Sequence, residues 1–263
     1  REANGMPAGR FLLRDVALAP GAELALPDEI AHQARDVLRL RPGDTVRLLD
    51  GAGGEYPATI MEVARRAVVA HVGAREDGPP PLPVRLTLCV GLLKAARYEW
   101  ALQKGTELGV ATFQPLLTAR AVAATEEFGA AKRRRYERII AEAMEQCGAA
   151  WLPDLAAPRT LAEALALAPA DAIRLIPWEE AAAAPIRATL VAEVARRATP
   201  APAIWLYIGP EGGFTPDEVA AAQAAGALPV TLGPRILRAE TAAIVAAALA
   251  LDALGALDAP PHR

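Results

Sequence analysis

Apolar positions fall into two regimes along the 263 residues. Up to Val72 they come in short runs (Arg10 to Val16, Thr45 to Asp50, Glu55 to Val63 and Ala67 to Val72) separated by turn residues. One short helical pattern, around Glu29 to Leu38, interrupts them. Short strands at this spacing predict a small β-barrel. From Val84 onward the runs alternate with helical patterns. Strands are expected at Val84 to Leu92, Ala111 to Leu117, Ala172 to Ile176, Ala203 to Ile208 and Leu228 to Leu232. Helices are expected at Arg97 to Leu108, Lys132 to Gln146, Leu161 to Leu167 and Ile186 to Arg197, and again after each of the last two strands. That alternation predicts an α/β domain with a mostly parallel, doubly wound sheet. Between the regimes, Gly78 to Pro83 holds four prolines in six residues, a stiff extended linker. It divides the chain into domains at 6–77 and 84–258.

Two strand ends share a pattern. Leu206 to Ile208 runs into Gly209-Pro210-Glu211-Gly212-Gly213-Phe214, then into a helix with a full start signal. Thr215 caps, Pro216 suits the first turn, and Glu218 stands at capping-box spacing. The pattern returns at Val230 to Thr241, with Gly233-Pro234 as the turn. Bare glycine backbone at two strand ends can form a pocket that reads a ligand through main-chain groups. Ordinary αβ connections would show the same spacing, so both readings stay open here. The apolar stretch Thr241 to Leu251 is too short to cross a bilayer and reads as a buried helix.

Composition narrows the chemistry. The chain has no serine, which excludes a serine hydrolase. Its three histidines (His32, His71, His262) lie far apart and show no metal-ligand spacing, so packing or surface roles are expected. Neither a phosphate-binding P-loop nor a dinucleotide fingerprint is present. The glycines at Gly51 to Gly54 precede a strand and read as a hairpin turn. Two cysteines, Cys89 and Cys147, and no apolar leader fit a reducing cytoplasm. Arg1 to Gly5 read as a tag remnant or an early start, with Met6 a candidate for the true start and an upstream start left open.

Net charge is −3, so any nucleic-acid surface has to be local. Arg35, Arg39, Arg41 and Arg47 cluster in the first domain. The only dense basic run is Lys132-Arg133-Arg134-Arg135-Tyr136-Glu137-Arg138. Such a run is by default a solvated helix face, with phosphate contact the sharper alternative. Lys104 and Glu107 read as an i,i+3 surface pair.

Together, Gly209 to Gly213, Leu232 to Thr241, the Gln103 to Val110 helix and Glu145-Gln146-Cys147-Gly148 resemble the RsmE family. Its members are 16S ribosomal RNA uridine-N3 methyltransferases of the SPOUT superfamily. The resemblance runs from about Arg10 to Leu257, with His32, Arg35, Val37-Leu38-Arg39 and Asp50-Gly51 in the small domain. It implies a PUA-like β-barrel joined to a SPOUT domain whose C-terminal part is a trefoil knot. It also implies a homodimer that methylates 16S rRNA in the 30S subunit with S-adenosylmethionine. No membrane partner is expected, and no metal, because the sulfonium already carries an activated methyl.

The resemblance further assigns the cofactor to Ile176, Pro177, Ile208, Gly209, Pro210, Gly212, Gly213, Leu232, Gly233, Ile236, Leu237, Arg238 and Thr241. The uracil N3 proton is lost reluctantly at neutral pH, so the site must remove it or hold the resulting anion. Arg238 is the first candidate for holding the anion and Arg120 the second; Glu211 is a candidate base or orienting group. Helix-start electrostatics is the plainer reading of Arg238 and Glu240. For RNA, Arg10, Arg35, Arg39, Lys132, Arg133 and Arg134 are the candidates. Two positions depart from the family: Ala149 where many relatives carry arginine, and Ala121 where serine is frequent. Cys147 is expected to pack, since N-methylation needs no covalent intermediate. Competing readings are an RNA-binding SPOUT protein with a vestigial cofactor site, and a methyltransferase acting on another RNA such as tRNA.

Overall fold

The computed structural model describes residues 8–14, 16–121, 128–179, 183–197 and 203–258; Met6 and His262 lie outside them. Two compact units are present. One takes Arg1–Pro81 with Met144–Leu152, and the other Leu82–Ala143 with Pro153–Arg263.

The first unit holds β1 (Arg10–Leu12), β2 (Glu23–Ala25), α1 (Asp28–His32), β3 (Thr45–Leu49), β4 (Gly54–Val63), β5 (Val68–Val72) and β6 (Glu76–Asp77). They form one six-stranded sheet in the order β1-β3-β4-β5-β2, with β6 on β4. The very short strands β2 and β6 escaped the sequence pattern because neither has an alternating run long enough to read. The β3–β4 hairpin turns where the glycines predicted it. Gly51 and Gly53 take left-handed φ of 72° and 90°, and Asp50 Oδ1 accepts from the N–H groups of Ala52 and Gly54 at 2.7 and 2.8 Å. Phe11, Val46, Leu48, Ala58, Ile60, Val68, Ala70 and Val72 form the buried face. After α1 the helix widens into a π-turn over Gln33–Val37.

In the second unit, β7 (Leu86–Gly91), β8 (Thr112–Leu117), β9 (Asp154–Leu155), β10 (Arg159–Thr160), β11 (Ile173–Pro177), β12 (Ile204–Ile208) and β13 (Ala227–Val230) make one sheet. Its order is β10-β8-β7-β12-β11-β13, with β9 on β8, and every pairing is parallel. From β7 the chain builds outward through β8 on one side, and later returns to fill the other. β12 enters between β7 and the earlier strand β11. That reversal is a topological switch point, where open α/β sheets bind ligands beyond the carboxyl ends of their strands.

The helices are α2 (Ala95–Leu108), α3 (Ala130–Cys147), α4 (Leu161–Leu167), α5 (Ile186–Ala195), α6 (Pro216–Ala224) and α7 (Ala239–Ala253). Strand alternation divides them between two faces. Cys89, Ile176 and Tyr207 point to the core shared with Leu161, Ala164 and Leu165 of α4 and Val219 and Ala222 of α6. The other face meets α7, which packs on α2 and α5. Small residues let α7 approach closely: Ala243, Ala246, Ala247 and Ala250 are fully buried. Helix ends follow the local signals. Gly109 caps α2 at φ 90°, and both α4 and α6 start with complete capping boxes, Thr160/Glu163 and Thr215/Glu218.

Candidate functional site

A cleft of about 280 Å³ opens at the carboxyl ends of β11, β12 and β13. Its walls are Pro177 to Glu179, Ile208 to Glu211 with Gly213 and Phe214, and Thr231 to Gly233 with Arg235 to Ala239. Ala242 and Arg97 complete it. The first glycine loop is held tightly. Gly213 N–H donates to the Pro210 carbonyl at 2.9 Å, and a Cβ on Gly209 would stand 3.0 Å from the Gly213 backbone. Next to it, a Cβ on Gly91 at the end of β7 would come within 2.7 Å of the Pro210 nitrogen. The second loop is braced by Thr231, whose Oγ1 accepts from Gly233 N–H at 3.2 Å. By contrast, a Cβ on Gly233 would meet nothing within 4 Å, so this loop borders open space.

Charge gathers at the rim. Arg97, Arg235 and Arg238 line the cleft beside Glu179 and Glu211. Glu211 accepts from Arg97 Nη1 at 3.2 Å and from Lys94 N–H at 3.4 Å. Arg97 Nε also stands 3.9 Å from Glu240 Oε1. Arg120 Nη1 donates to the carbonyls of Gly212 and Phe214 at 3.0 and 3.3 Å. Glu218 does double duty, taking Thr215 N–H at 2.8 Å and Ala119 N–H at 2.9 Å. The strand end after β8 is thereby tied to the start of α6.

Most of the expected cofactor positions come together here: Pro177, Ile208, Gly209, Pro210, Gly213, Leu232, Gly233, Ile236, Leu237 and Arg238. Three do not line the cleft. Strand alternation turns Ile176 into the core on the α4 and α6 face. Gly212 lies against Arg120, whose Cβ would be 3.1 Å from its own. Thr241 is half-buried in the first turn of α7. Of the expected reaction residues, Arg238 lines the cleft as the N-cap residue of α7. Glu211 lines it as well, while Arg120 supports the loop from behind. Arg97, Glu179 and Thr231 were missed. Arg97 had no signal in sequence beyond being a charge in the opening turn of a charged helix.

The expected RNA contacts separate by what their charges already touch. Arg10 donates to Glu55 at 2.7 Å and to the Gly148 and Ala149 carbonyls at 3.2 and 3.1 Å. Arg35 is held by Asp36 at 2.6 Å and by the Arg65 carbonyl at 2.8 Å, and it keeps the Asp36 carboxyl below the usual carboxylate range. Arg133 is taken by Glu137 and the Leu155 carbonyl, both at 2.8 Å. Arg39, Lys132 and Arg134 face no carboxylate within 4 Å among the described residues. Arg39 also stands at φ 55°, the one positive φ outside glycine among the described residues, with Val37 exposed beside it. Lys104 and Glu107 pair at 2.7 Å, as the i,i+3 spacing predicts. One expectation is corrected. Cys147 is exposed rather than packed, because it closes the last turn of α3, where its Sγ donates to the Met144 carbonyl at 3.6 Å. Among the described residues no His, Cys, Asp and Glu group could hold a metal ion, and no helix is long and apolar enough to cross a membrane.

The sequence and fold have close counterparts. Residues 80–251 match the family model described as an RNA methyltransferase domain, and residues 26–72 match the RNA methyltransferase PUA domain. A ribosomal RNA small subunit methyltransferase E from Synechocystis is 35% identical over 86% of this chain and 72% of its own length. A methyltransferase from Legionella pneumophila, solved with S-adenosylmethionine, superposes with a TM-score of 0.82 at 31% identity, covering 93% of this chain and 97% of that one. The Neisseria gonorrhoeae ribosomal RNA small subunit methyltransferase E, also bound to S-adenosylmethionine, gives 0.80 at 32% identity with the same coverage. A PUA-like unit followed by a parallel α/β methyltransferase unit, with a glycine-walled cleft at its switch point, places the chain in the ribosomal RNA small subunit methyltransferase E family.

Proposed function

We propose that this chain transfers the methyl group of S-adenosylmethionine to N3 of a specific uridine in the 16S rRNA of the small ribosomal subunit, in the cytoplasm, as a homodimer with a knotted C-terminal domain. The domains doing so are 6–77 for RNA and 84–258 for chemistry. The observation that carries this reading is the cleft at three parallel strand ends, with bare backbone on two sides.

The lining suits the cofactor. Ile208, Leu232, Ile236 and Leu237 offer apolar walls to a flat base. The main chain at Gly209, Gly213 and Gly233 offers polar groups without side-chain bulk. Ile236, 84% exposed and apolar, has no cover of its own and would close over the ligand. When bound, the sulfonium supplies an activated methyl, so no metal is required.

The protein's remaining task is the acceptor. Loss of the N3 proton leaves negative charge on the uracil carbonyl oxygens, and a fixed cation at the mouth of the cleft stabilises it. Arg238 suits this task, being permanently charged and forked. Arg120 is already engaged by two carbonyls and supports the loop instead. Glu211, paired to Arg97, suits an orienting role better than that of a free base. For RNA, Arg39, Lys132 and Arg134 are the candidates that face no carboxylate among the described residues, and they suit phosphate.

The test is methyl transfer from labelled S-adenosylmethionine to 30S subunits lacking the modification, with the product located by reverse transcription. An N3 methyl blocks base pairing, so a strong stop at one uridine is the expected result. Cofactor binding without transfer would point to another RNA, and absence of both to a binding protein with a vestigial site. Arg238→Ala should abolish turnover with the fold intact; near-normal methylation by that variant would remove Arg238 from the mechanism.

A further inference from the structure

Glu240 stands out among the acids of the second unit. It is 8% exposed, and its Oε2 has no hydrogen-bond partner among the described residues. A buried carboxylate oxygen left unpaired is costly, and its persistence calls for a partner that arrives or moves. The nearest cation is Arg97, with Nε 3.9 Å from Glu240 Oε1, which is beyond hydrogen-bond reach. Arg97 meanwhile donates Nη1 to Glu211 at 3.2 Å. The guanidinium therefore lies between a buried carboxylate and an exposed one, and it lines the cleft.

Arg97 comes from α2, whereas the rest of the cleft is built from the three strand-end loops and the start of α7. Those loops are committed to the cofactor in the function proposed above, on which this inference rests. Arg97 is thus a cleft cation supplied by an element other than the loops that take the cofactor. Its pair with Glu211 is half-exposed and therefore weak, so an anionic acceptor can compete for the Nη atoms.

We propose that Arg97 is a substrate-contacting residue that donates to a carbonyl oxygen of the target uracil as N3 gives up its proton to solvent and takes the sulfonium methyl, with S-adenosylhomocysteine leaving, and that Glu240 is its positioning residue. Glu240 orients the guanidinium through Nε while the Nη atoms turn into the cleft. Arg238 and Arg97 then flank the acceptor from α7 and α2.

The experiment compares wild type, Arg97→Met, Arg97→Lys, Glu240→Gln and the Arg97→Met/Glu240→Gln double variant. S-adenosylmethionine affinity is measured by calorimetry, and single-turnover methyl transfer to unmodified 30S subunits at saturating subunit concentration. Arg97→Met should bind the cofactor within about twofold of wild type yet transfer methyl about 100-fold more slowly, the size of a lost oxyanion donor. Arg97→Lys should recover only part of the rate, because it keeps the charge and loses the fork. Glu240→Gln should slow transfer in the wild-type background and add little in the Arg97→Met background. A wild-type rate in Arg97→Met overturns the inference while leaving the proposed reaction standing. So does equal loss of cofactor affinity and rate, which would make Arg97 a cofactor ligand. Additive effects of the two substitutions overturn the role of Glu240. An inactive wild type on these subunits overturns the proposed substrate and the inference with it.

Discussion

Arg120 donates one guanidinium nitrogen to the carbonyls of both Gly212 and Phe214, at 3.0 and 3.3 Å, across 92 and 94 residues of sequence. The loop after β12 thus owes its shape partly to a side chain from the turn that follows β8. Charge-assisted hydrogen bonds of this kind contribute about 1.5–3 kcal/mol when well formed. Arg120→Ala should weaken S-adenosylmethionine binding about tenfold by loosening the loop, with a smaller effect on the rate at saturating cofactor. A titration and a saturation curve separate the two. Loss of rate with unchanged affinity would return Arg120 to the reaction itself.

Gly91 has no room for a side chain. Its Cβ would lie 2.7 Å from the nitrogen and 2.8 Å from Cδ of Pro210, and the nitrogen is backbone that cannot rotate aside. Gly91→Ala should displace the Gly209–Gly213 loop, reducing stability by about 1–3 kcal/mol as overpacking does. Cofactor affinity should fall in step. Urea unfolding and calorimetry together check it, and an unchanged affinity would show that the loop absorbs the methyl group.

Tyr136 is buried in α3, stacked on Tyr98 with ring centroids 5.1 Å apart. Its hydroxyl has no hydrogen-bond partner among the described residues. Burial pushes its pKa up to about 12, well above the ordinary tyrosine value. A raised pKa means that the folded state holds its proton more tightly than the unfolded chain. The associated stability is present below about pH 10 and is lost as pH rises toward about 12. Tyr136→Phe should therefore flatten the alkaline loss of stability. At neutral pH it should be neutral or stabilising by about 1 kcal/mol, because an unpaired buried hydroxyl is removed. Urea midpoints across pH 7 to 11 would decide it, and a strong destabilisation at neutral pH would reveal a partner for the hydroxyl.

Arg39 holds a left-handed backbone, φ 55°, with its side chain exposed. Such a conformation costs a residue with a Cβ about 1–2 kcal/mol relative to glycine. Arg39→Gly should leave stability unchanged or slightly raised while weakening RNA binding and lowering its salt dependence by about one counterion. Filter binding at several salt concentrations reads both. Retained affinity with an unchanged salt slope would take Arg39 off the RNA surface.

Local signals were legible in the sequence because they act within a few residues. Thr215 and Glu218 announced α6, Gly109 ended α2, and the glycines of Gly51 to Gly54 turned the hairpin. Alternating apolar runs identified five of the parallel strands to within a few residues, since a buried strand needs little beyond its own side chains to be recognised. Even the apolar helix at Thr241 to Leu251 appears in place as part of α7. These features, together with the two glycine turns and the family resemblance, located the cleft.

Which charges meet at its rim, and which partners they take, was decided by tertiary structure. β12 lies between β7 and β11, an order no run of residues encodes by itself. That order brings Glu211 to Arg97 across 114 positions and Arg120 to Gly212 across 92. It also buries Glu240 with an oxygen that has no hydrogen-bond partner among the described residues. Arg10 and Arg35 are RNA candidates in the sequence, yet folding brings Glu55 and the Gly148 carbonyl to Arg10 and the Arg65 carbonyl to Arg35, whose neighbour Asp36 takes two more of its donors. A hydrogen bond is a short-range contact, so whether a charge is spent or available depends on which distant backbone the fold places within about 3 Å of it. Period and spacing carry no record of that distance.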